Sequence, residues 1–259
     1  MLIFTTDKPR LQHHFEKDKV LFSYHLGDLD DFYWDNCQWA VDYADRARIE
    51  ECILIYTGCK VPSIMAFGVS ERFDGLLEQM IPLMPPKFYC HFFKNSRKKF
   101  LDAFKESSLG SFYKMQLQTF HKVENKDGHN IVQLDKTHIP ELESLYERAY
   151  PENYFIEKML ETGKYYGVII DNKIVSVTGV HVDSDKYKVA VLGNITTDPE
   201  YRGKGLATIV TSHLLEKLTA DEKLVCLNVR SDNPAAIASY KKLGFVKVHD
   251  YEESLFELK

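Results

Sequence analysis

Two stretches of this 259-residue chain carry the same order of secondary-structure signals, and that duplication limits the architectures open to it. In the first stretch, residues 7–18 and 21–29 read as helices and residues 38–43, 52–57 and 63–69 as short strands. A helix at 73–83, a strand at 88–93, a helix at 97–105 and a strand at 111–119 follow. The second stretch opens with a strand at 131–134, a helix at 139–150 stopped by Pro151, and a short helix at 155–161 ending at Gly163. Strands at 165–170 and 173–183 are joined by Asp171-Asn172, a natural tight turn, and a third long strand spans 187–197. Next come a helix at 205–219 with Leu206, Ile209, Val210, Leu214 and Leu218 on one side, and a buried strand at 224–229. A last helix opens at Asn233-Pro234 and closes at Leu243-Gly244. Residues 245–258 read as a terminal hairpin. The polar run from Lys122 to Gly128 separates the two stretches, so domains are expected at 1–122 and 129–259. The fold class is α/β (α+β), with two tandem domains, each a mixed, mostly antiparallel sheet flanked by helices.

Bulk properties exclude several roles. A formal charge of -5 supplies no basic field for nucleic acid or an anionic membrane. The one basic run, Lys94 to Lys99, reads as a solvated helix start. No uninterrupted apolar stretch of about eighteen residues occurs, and the N-terminus lacks a basic region followed by a long apolar one. The five cysteines are scattered and never spaced C-x-x-C, so neither a disulfide framework nor a metal site is expected. A reducing cytoplasm is the expected location. Nothing here fixes an oligomeric state.

The chemistry concentrates where the third long strand runs into Asp198-Pro-Glu-Tyr-Arg-Gly-Lys-Gly-Leu-Ala207 and on into a helix. Glycines at 203 and 205 let the backbone pass close to a bound group. The helix N-terminus adds partial positive charge, and Arg202 and Lys204 add full charges. Such a turn is an anion cradle, and a pyrophosphate suits it. It is neither a Walker loop nor G-x-G-x-x-G, and the pattern R-x-x-G-x-A alone is short enough to arise by chance. Gly193, inside the preceding strand, marks a bulge or a close backbone approach.

In order, the internal glycine, the loop, the helix, the strand at 224–229, Asn228, Asn233, Tyr240 and Leu243-Gly-Phe245 resemble the GNAT superfamily of N-acetyltransferases. The resemblance covers roughly residues 129–259 and implies an acyl-CoA cosubstrate, by default acetyl-CoA, with no metal. It places the pantetheine arm against Ile195, Thr196 and Thr197, and the pyrophosphate on Arg202, Gly203, Lys204, Gly205, Leu206, Ala207 and Thr208. Asn228 and Asn233 are further cofactor candidates, although Asn233 is also the expected helix cap. Tyr240 falls where such enzymes place a tyrosine that protonates the departing thiolate. A phenol and a thiol have pKa values close enough for that transfer.

The resemblance breaks at the general base. Val191, Leu192, Gly193 and Asn194 offer no carboxylate, Glu200 belongs to the phosphate turn, and His181 and Asp183 on the preceding strand are the alternatives. In the first stretch, Ser70-Glu-Arg-Phe-Asp-Gly follows the third strand, without R-x-x-G-x-A and with acidic residues that repel a pyrophosphate. That half is expected to be a degenerate copy, and the layout resembles tandem members including the glycine N-acyltransferase-like group. Aromatics at Phe32, Tyr33, Trp34 and Trp39 line a cleft or form core. The expected activity is acyl transfer to a primary amine by direct attack. The alternative is a CoA-binding sensor or assembly protein without turnover.

Overall fold

The computed structural model describes residues 1–45 and 48–259. The described chain divides into two compact units. The first comprises Met1–Lys114, Arg230–Asp232 and His249–Lys259; the second comprises Met115–Val229 and Asn233–Val248.

The first unit contains β1 (Ile3–Thr5), α1 (Lys8–Phe15), α2 (Ser23–Asp28), α3 (Asp31–Trp34), β2 (Cys37–Tyr43), β3 (Ile49–Tyr56), β4 (Ser63–Ala66), α4 (Glu71–Met80), β5 (Lys87–Phe92) and α5 (Arg97–Ala103). The strand β6 (Phe104–Leu117) follows, and the division of units falls within it. β1, β2, β3 and β4 pair antiparallel in that order, whereas β4 and β5 are parallel. Their buried face carries Ile53, Ile64, Phe88 and Phe92, packed with Phe73, Leu77 and Phe100 from the helices. These residues alternate along the strands and recur at three- and four-residue spacing along α4, which is what sets them on one face.

The second unit contains β7 (Asn130–Gln133), α6 (Ile139–Ala149), β8 (Tyr166–Ile170), β9 (Lys173–Ser184), β10 (Val189–Thr197), α7 (Leu206–Ala220), β11 (Leu224–Arg230) and α8 (Pro234–Leu243). β7 to β10 pair antiparallel in order and β10 and β11 are parallel. Four antiparallel neighbours closed by one parallel pair therefore occur in both units, and the duplicated order read in the sequence is a duplicated topology. The short helix before Gly163 is 3-10, Glu157–Thr162, and Gly163 caps it at φ 64. Leu142, Leu145 and Tyr146 of α6 meet Tyr165, Ile174 and Val177 of the sheet in a buried cluster.

Beyond shifted ends, three elements differ from the sequence reading; one is α3 (Asp31–Trp34), whose four residues are too few for a helical period. Residues 245–258 form one uninterrupted strand, β12 (Phe245–Leu258), and no terminal hairpin. No Gly, Pro or Asn lies between Val246 and Leu258, and Asp250 is not followed by the glycine that favours a two-residue hairpin turn. Residues Glu252–Glu257 instead pair antiparallel with β5, and Phe256 enters the core of the first unit. β1 was not legible: three residues give too short a run for a period-two signal. No helix among the described residues is long and apolar enough to cross a membrane.

Candidate active site

The site builds on the single parallel pair of the second unit. Val189–Leu192 of β10 face Leu224–Leu227 of β11, and the ladder stops there, although β10 continues to Thr197 and β11 to Arg230. Beyond Leu192, the β11-facing edge of β10 has no ladder partner among the described residues. The two strands thus leave a gap bordered by Gly193, Asn194, Ile195, Thr196 and Thr197 on one side and Asn228 on the other.

The cause lies in the register with β9. Gly193 pairs with Gly179 and Thr196 with Val177, so two residues of β10, Asn194 and Ile195, stand against one of β9. Asn194 takes the left-handed conformation at φ 53 and is buried. Its side-chain amide donates to the Tyr165 hydroxyl at 2.9 Å and accepts from the Tyr154 backbone N–H at 3.1 Å. Its carbonyl accepts from the Tyr146 hydroxyl at 2.9 Å. The bulge expected at Gly193 is present, and Asn194, which sequence reasoning passed over, fastens it. Past the bulge, β10 stays with β9: the Ser176 hydroxyl donates to the Thr196 carbonyl at 3.2 Å and lies 2.8 Å from the Thr197 hydroxyl.

The chain then turns into the glycine loop. Asp198 starts the turn by accepting from the Glu200 N–H at 3.1 Å, and the Arg148 guanidinium, 2.9 Å from its carboxylate, holds Asp198 below the usual carboxylate range. Gly203 and Gly205 take φ 77 and φ 76, values that favour glycine. Residues 202–205 are exposed, and a Cβ at either glycine would meet nothing within 4 Å. Gly205 caps α7 without a side-chain hydrogen bond, so the first-turn N–H groups of Leu206, Ala207 and Thr208 remain available to a ligand. Arg202 does not point its charge freely into this cradle. Its guanidinium donates to the Thr197 carbonyl at 3.1 Å and the Ala149 carbonyl at 3.2 Å, which ties the loop to the end of α6. Lys204 sits over the Tyr201 ring at 4.7 Å.

Asn228 follows the last paired residue of β11, and its side-chain oxygen is buried with no hydrogen-bond partner among the described residues. A buried acceptor left without a donor is costly, and a ligand N–H in the gap relieves that cost. Asn233 caps α8 by accepting from the Ala236 N–H at 3.1 Å, so its structural role is in place. Tyr240 of α8 is buried, with its ring 6.0 Å edge-on from Phe245. Burial and the neighbouring Tyr150 push its pKa up, and its hydroxyl makes no hydrogen bond among the described residues. It is therefore protonated at neutral pH and able to donate.

Of the alternatives for a base, Asp183 is committed elsewhere: the buried Lys223 ammonium lies 2.6 Å from it and 2.7 Å from Asp185. His181 packs against Gly193. A Cβ at 193 would fall 1.8 Å from Cδ2 and 2.0 Å from Nε2 of that ring. The space expected beside Gly193 is thus taken by an imidazole.

The corresponding place in the first unit is closed. Past the last β4–β5 pair, Ala66 with Phe92, the rings of Phe67 and Phe93 meet at 5.3 Å. The start of α4 is capped by Ser70, which accepts from the Phe73 N–H at 3.0 Å, and Glu71 and Asp74 lie in its first turn. A filled gap and a capped, acidic helix start leave no anion cradle there. Trp34 and Trp39, with Cys37 and Phe4, line a shallow pocket of about 330 Å³ at the β1–β2 edge, although Trp39, like Tyr33, is buried in the core.

Residues 131–245 match the acetyltransferase (GNAT) family. Mouse cysteine-rich protein 2-binding protein is 30% identical over 114 residues, which are 44% of this chain and 14% of that protein. Mycothiol acetyltransferase of Mycolicibacterium smegmatis is 42% identical over 72 residues, 26% of this chain and 23% of that enzyme. The ribosomal protein bS18 alanine N-acetyltransferase of Salmonella typhimurium is 42% identical over 57 residues, 22% of this chain and 38% of that enzyme. The chain thus spans well under half the length of these relatives. Across its whole length the fold is shared with a Drosophila protein (TM-score 0.78, 11% identity, 99% and 98% of the two chains covered). It is shared also with a tandem GNAT protein from the clavulanic acid biosynthesis pathway (TM-score 0.60, 14% identity, 99% and 98% covered). The bulged strand, the open parallel pair and the glycine loop all lie in the segment that matches the acetyltransferase (GNAT) family.

Proposed function

We propose that this chain transfers an acetyl group from acetyl-CoA to a primary amine, using the second unit alone for the cosubstrate. The observation that carries the reading is the unpaired edge of β10 at 193–197, continuous with the uncapped start of α7. An extended amide-containing arm fits that edge as an added strand, and a pyrophosphate fits the loop at its end. In this reading, Ile195, Thr196 and Thr197 hold the arm by their backbone, and Asn228 accepts one of its N–H groups. Gly203, Lys204, Gly205, Leu206, Ala207 and Thr208 hold the phosphates. Arg202 serves by fastening the loop and Asn233 by fastening α8. The cosubstrate supplies the activated thioester. Backbone N–H groups at the gap polarise its carbonyl, and Tyr240 delivers a proton to the sulfur as it leaves.

Of the enzymes named among the relatives, one is a mycothiol acetyltransferase and one a ribosomal protein bS18 alanine N-acetyltransferase. Their sequence likeness supports the reaction class and leaves the acceptor open. The absence of a carboxylate among Val191–Asn194 favours a second reading, in which CoA is bound without turnover. Thermal unfolding with acetyl-CoA, followed by thiol release over a panel of amines, separates the two. Stabilisation with thiol release supports transfer, stabilisation without it supports the second reading, and no stabilisation by any CoA species removes both.

A further inference from the structure

The end of α6 meets the site at three points. The Tyr146 hydroxyl donates to the Asn194 carbonyl inside the bulge. Two residues on, the Arg148 guanidinium donates to one carboxylate oxygen of Asp198, from Nε at 3.2 Å and from Nη2 at 2.9 Å. Its remaining nitrogen, Nη1, donates back to the Ser144 carbonyl at 2.8 Å and the Ser144 hydroxyl at 2.6 Å, which fixes the fork on the helix surface. The Ala149 carbonyl, in the last turn where helix carbonyls lack a partner of their own, accepts from Arg202. One helix end is thus fastened both to the bulge, where the gap opens, and to the glycine loop. Asp198 is nearly buried, and its second carboxylate oxygen accepts from the Glu200 N–H in the short 3-10 turn Pro199–Tyr201 that leads into the loop. Lys173 also attracts this carboxylate, more weakly than Arg148 does.

We propose that Arg148 is a positioning residue for the cosubstrate, acting through Asp198: it holds the glycine loop in register with the edge of β10 and cancels a negative charge that stands just before the pyrophosphate cradle. The inference rests on the cosubstrate reading above and deepens it. An arm along residues 193–197 and a pyrophosphate on residues 203–208 belong to one molecule, so a strand edge and a loop held at a fixed spacing bind it without first being ordered. α6 touches both. Without Arg148, a nearly buried carboxylate stands uncompensated on the turn, which strains the turn and repels an incoming anion. The three guanidinium nitrogens are committed, two to Asp198 and one to Ser144, so Arg148 does not itself reach for a phosphate.

The test uses the full chain with Arg148→Met, alone and combined with Asp198→Asn, and titration calorimetry with CoA reads affinity without turnover. Arg148→Met should raise the Kd for CoA by about tenfold and the KM for acetyl-CoA with it, while kcat at saturation stays within about twofold. Asp198→Asn keeps the oxygen that accepts from Glu200 and removes the charge, so in the double variant Kd should return to within about threefold of the unmodified chain. An unchanged Kd in Arg148→Met overturns the proposal, as does a loss confined to kcat. A double variant as weak as Arg148→Met also overturns it, since Arg148 would then act on the ligand without Asp198. Should Arg148→Met fail to fold, the double variant still decides, together with Arg148→Lys, which keeps a cation beside Asp198. Both should bind CoA within about threefold of the unmodified chain, and a loss of about tenfold in either counts against the proposal. An unmodified chain that CoA does not bind instead defeats the cosubstrate reading itself.

Discussion

At the scale of single residues, the site depends on Asn194 more than on any charged group. A non-glycine residue at φ 53 is strained, and three hydrogen bonds, one donated to Tyr165 and two accepted from Tyr154 and Tyr146, hold it there, two through its side chain. Asn194→Ala should cost about 1–3 kcal/mol in urea unfolding, because it keeps the strain and removes both side-chain hydrogen bonds. Asn194→Gly relieves the strain and should cost less; equal losses would remove backbone strain from the account. Tyr240→Phe removes one hydroxyl that bonds to nothing among the described residues, so the fold should hold and CoA affinity should stay unchanged. kcat should fall by about 10- to 100-fold, as for loss of a general acid. Tyr240 was singled out only through the family resemblance. Asn194 was not, because a polar residue inside a strand carries no local sign that three tyrosines converge on it.

Among elements, α7 and α4 test the logic of the glycine loop, since each follows the strand that begins its unit's parallel pair. Gly205 at φ 76 with open space around it leaves the start of α7 bare, whereas Ser70 occupies the start of α4. Gly205→Val should therefore fold with a penalty of about 1–3 kcal/mol, since the strain is conformational and nothing clashes. Stabilisation by CoA should be lost, because the branched side chain covers the N–H groups of the first turn; unchanged stabilisation would place the pyrophosphate elsewhere. The glycines, the Asn233 cap and the Gly244 stop were readable because each is a local backbone requirement. β12 was misread as a hairpin for the opposite reason. Its course is decided by pairing with β5, about 160 residues earlier, and no local pattern records such a partner.

For the molecule as a whole, the last residues of the chain complete the first unit, and the place where they do so is titratable. Glu253 of β12 is buried opposite His91 of β5, whose Nδ1 lies 3.2 Å from its carboxyl group. The Tyr251 hydroxyl donates to it at 2.5 Å, and the buried Lys114 ammonium donates to the Ser23 hydroxyl at 3.3 Å nearby. Desolvation dominates these contacts and raises the Glu253 pKa from 4.5 to about 7. The folded state then binds this proton more tightly than the unfolded chain does. Its stabilising effect is complete below about pH 4.5 and is lost as pH rises through about 7, a difference of about 3 kcal/mol. Amide exchange of Tyr89–Phe92, the β5 residues paired with this end of β12, reads the first unit directly. Protection there should fall between about pH 5 and 8 beyond the intrinsic rise in exchange rate, and Glu253→Gln should flatten that fall. An unchanged pH profile in Glu253→Gln would show that another group governs it. Amides of β8 and β9, in the second unit, supply the control: they are remote in sequence from Glu253 and should keep their protection in both proteins.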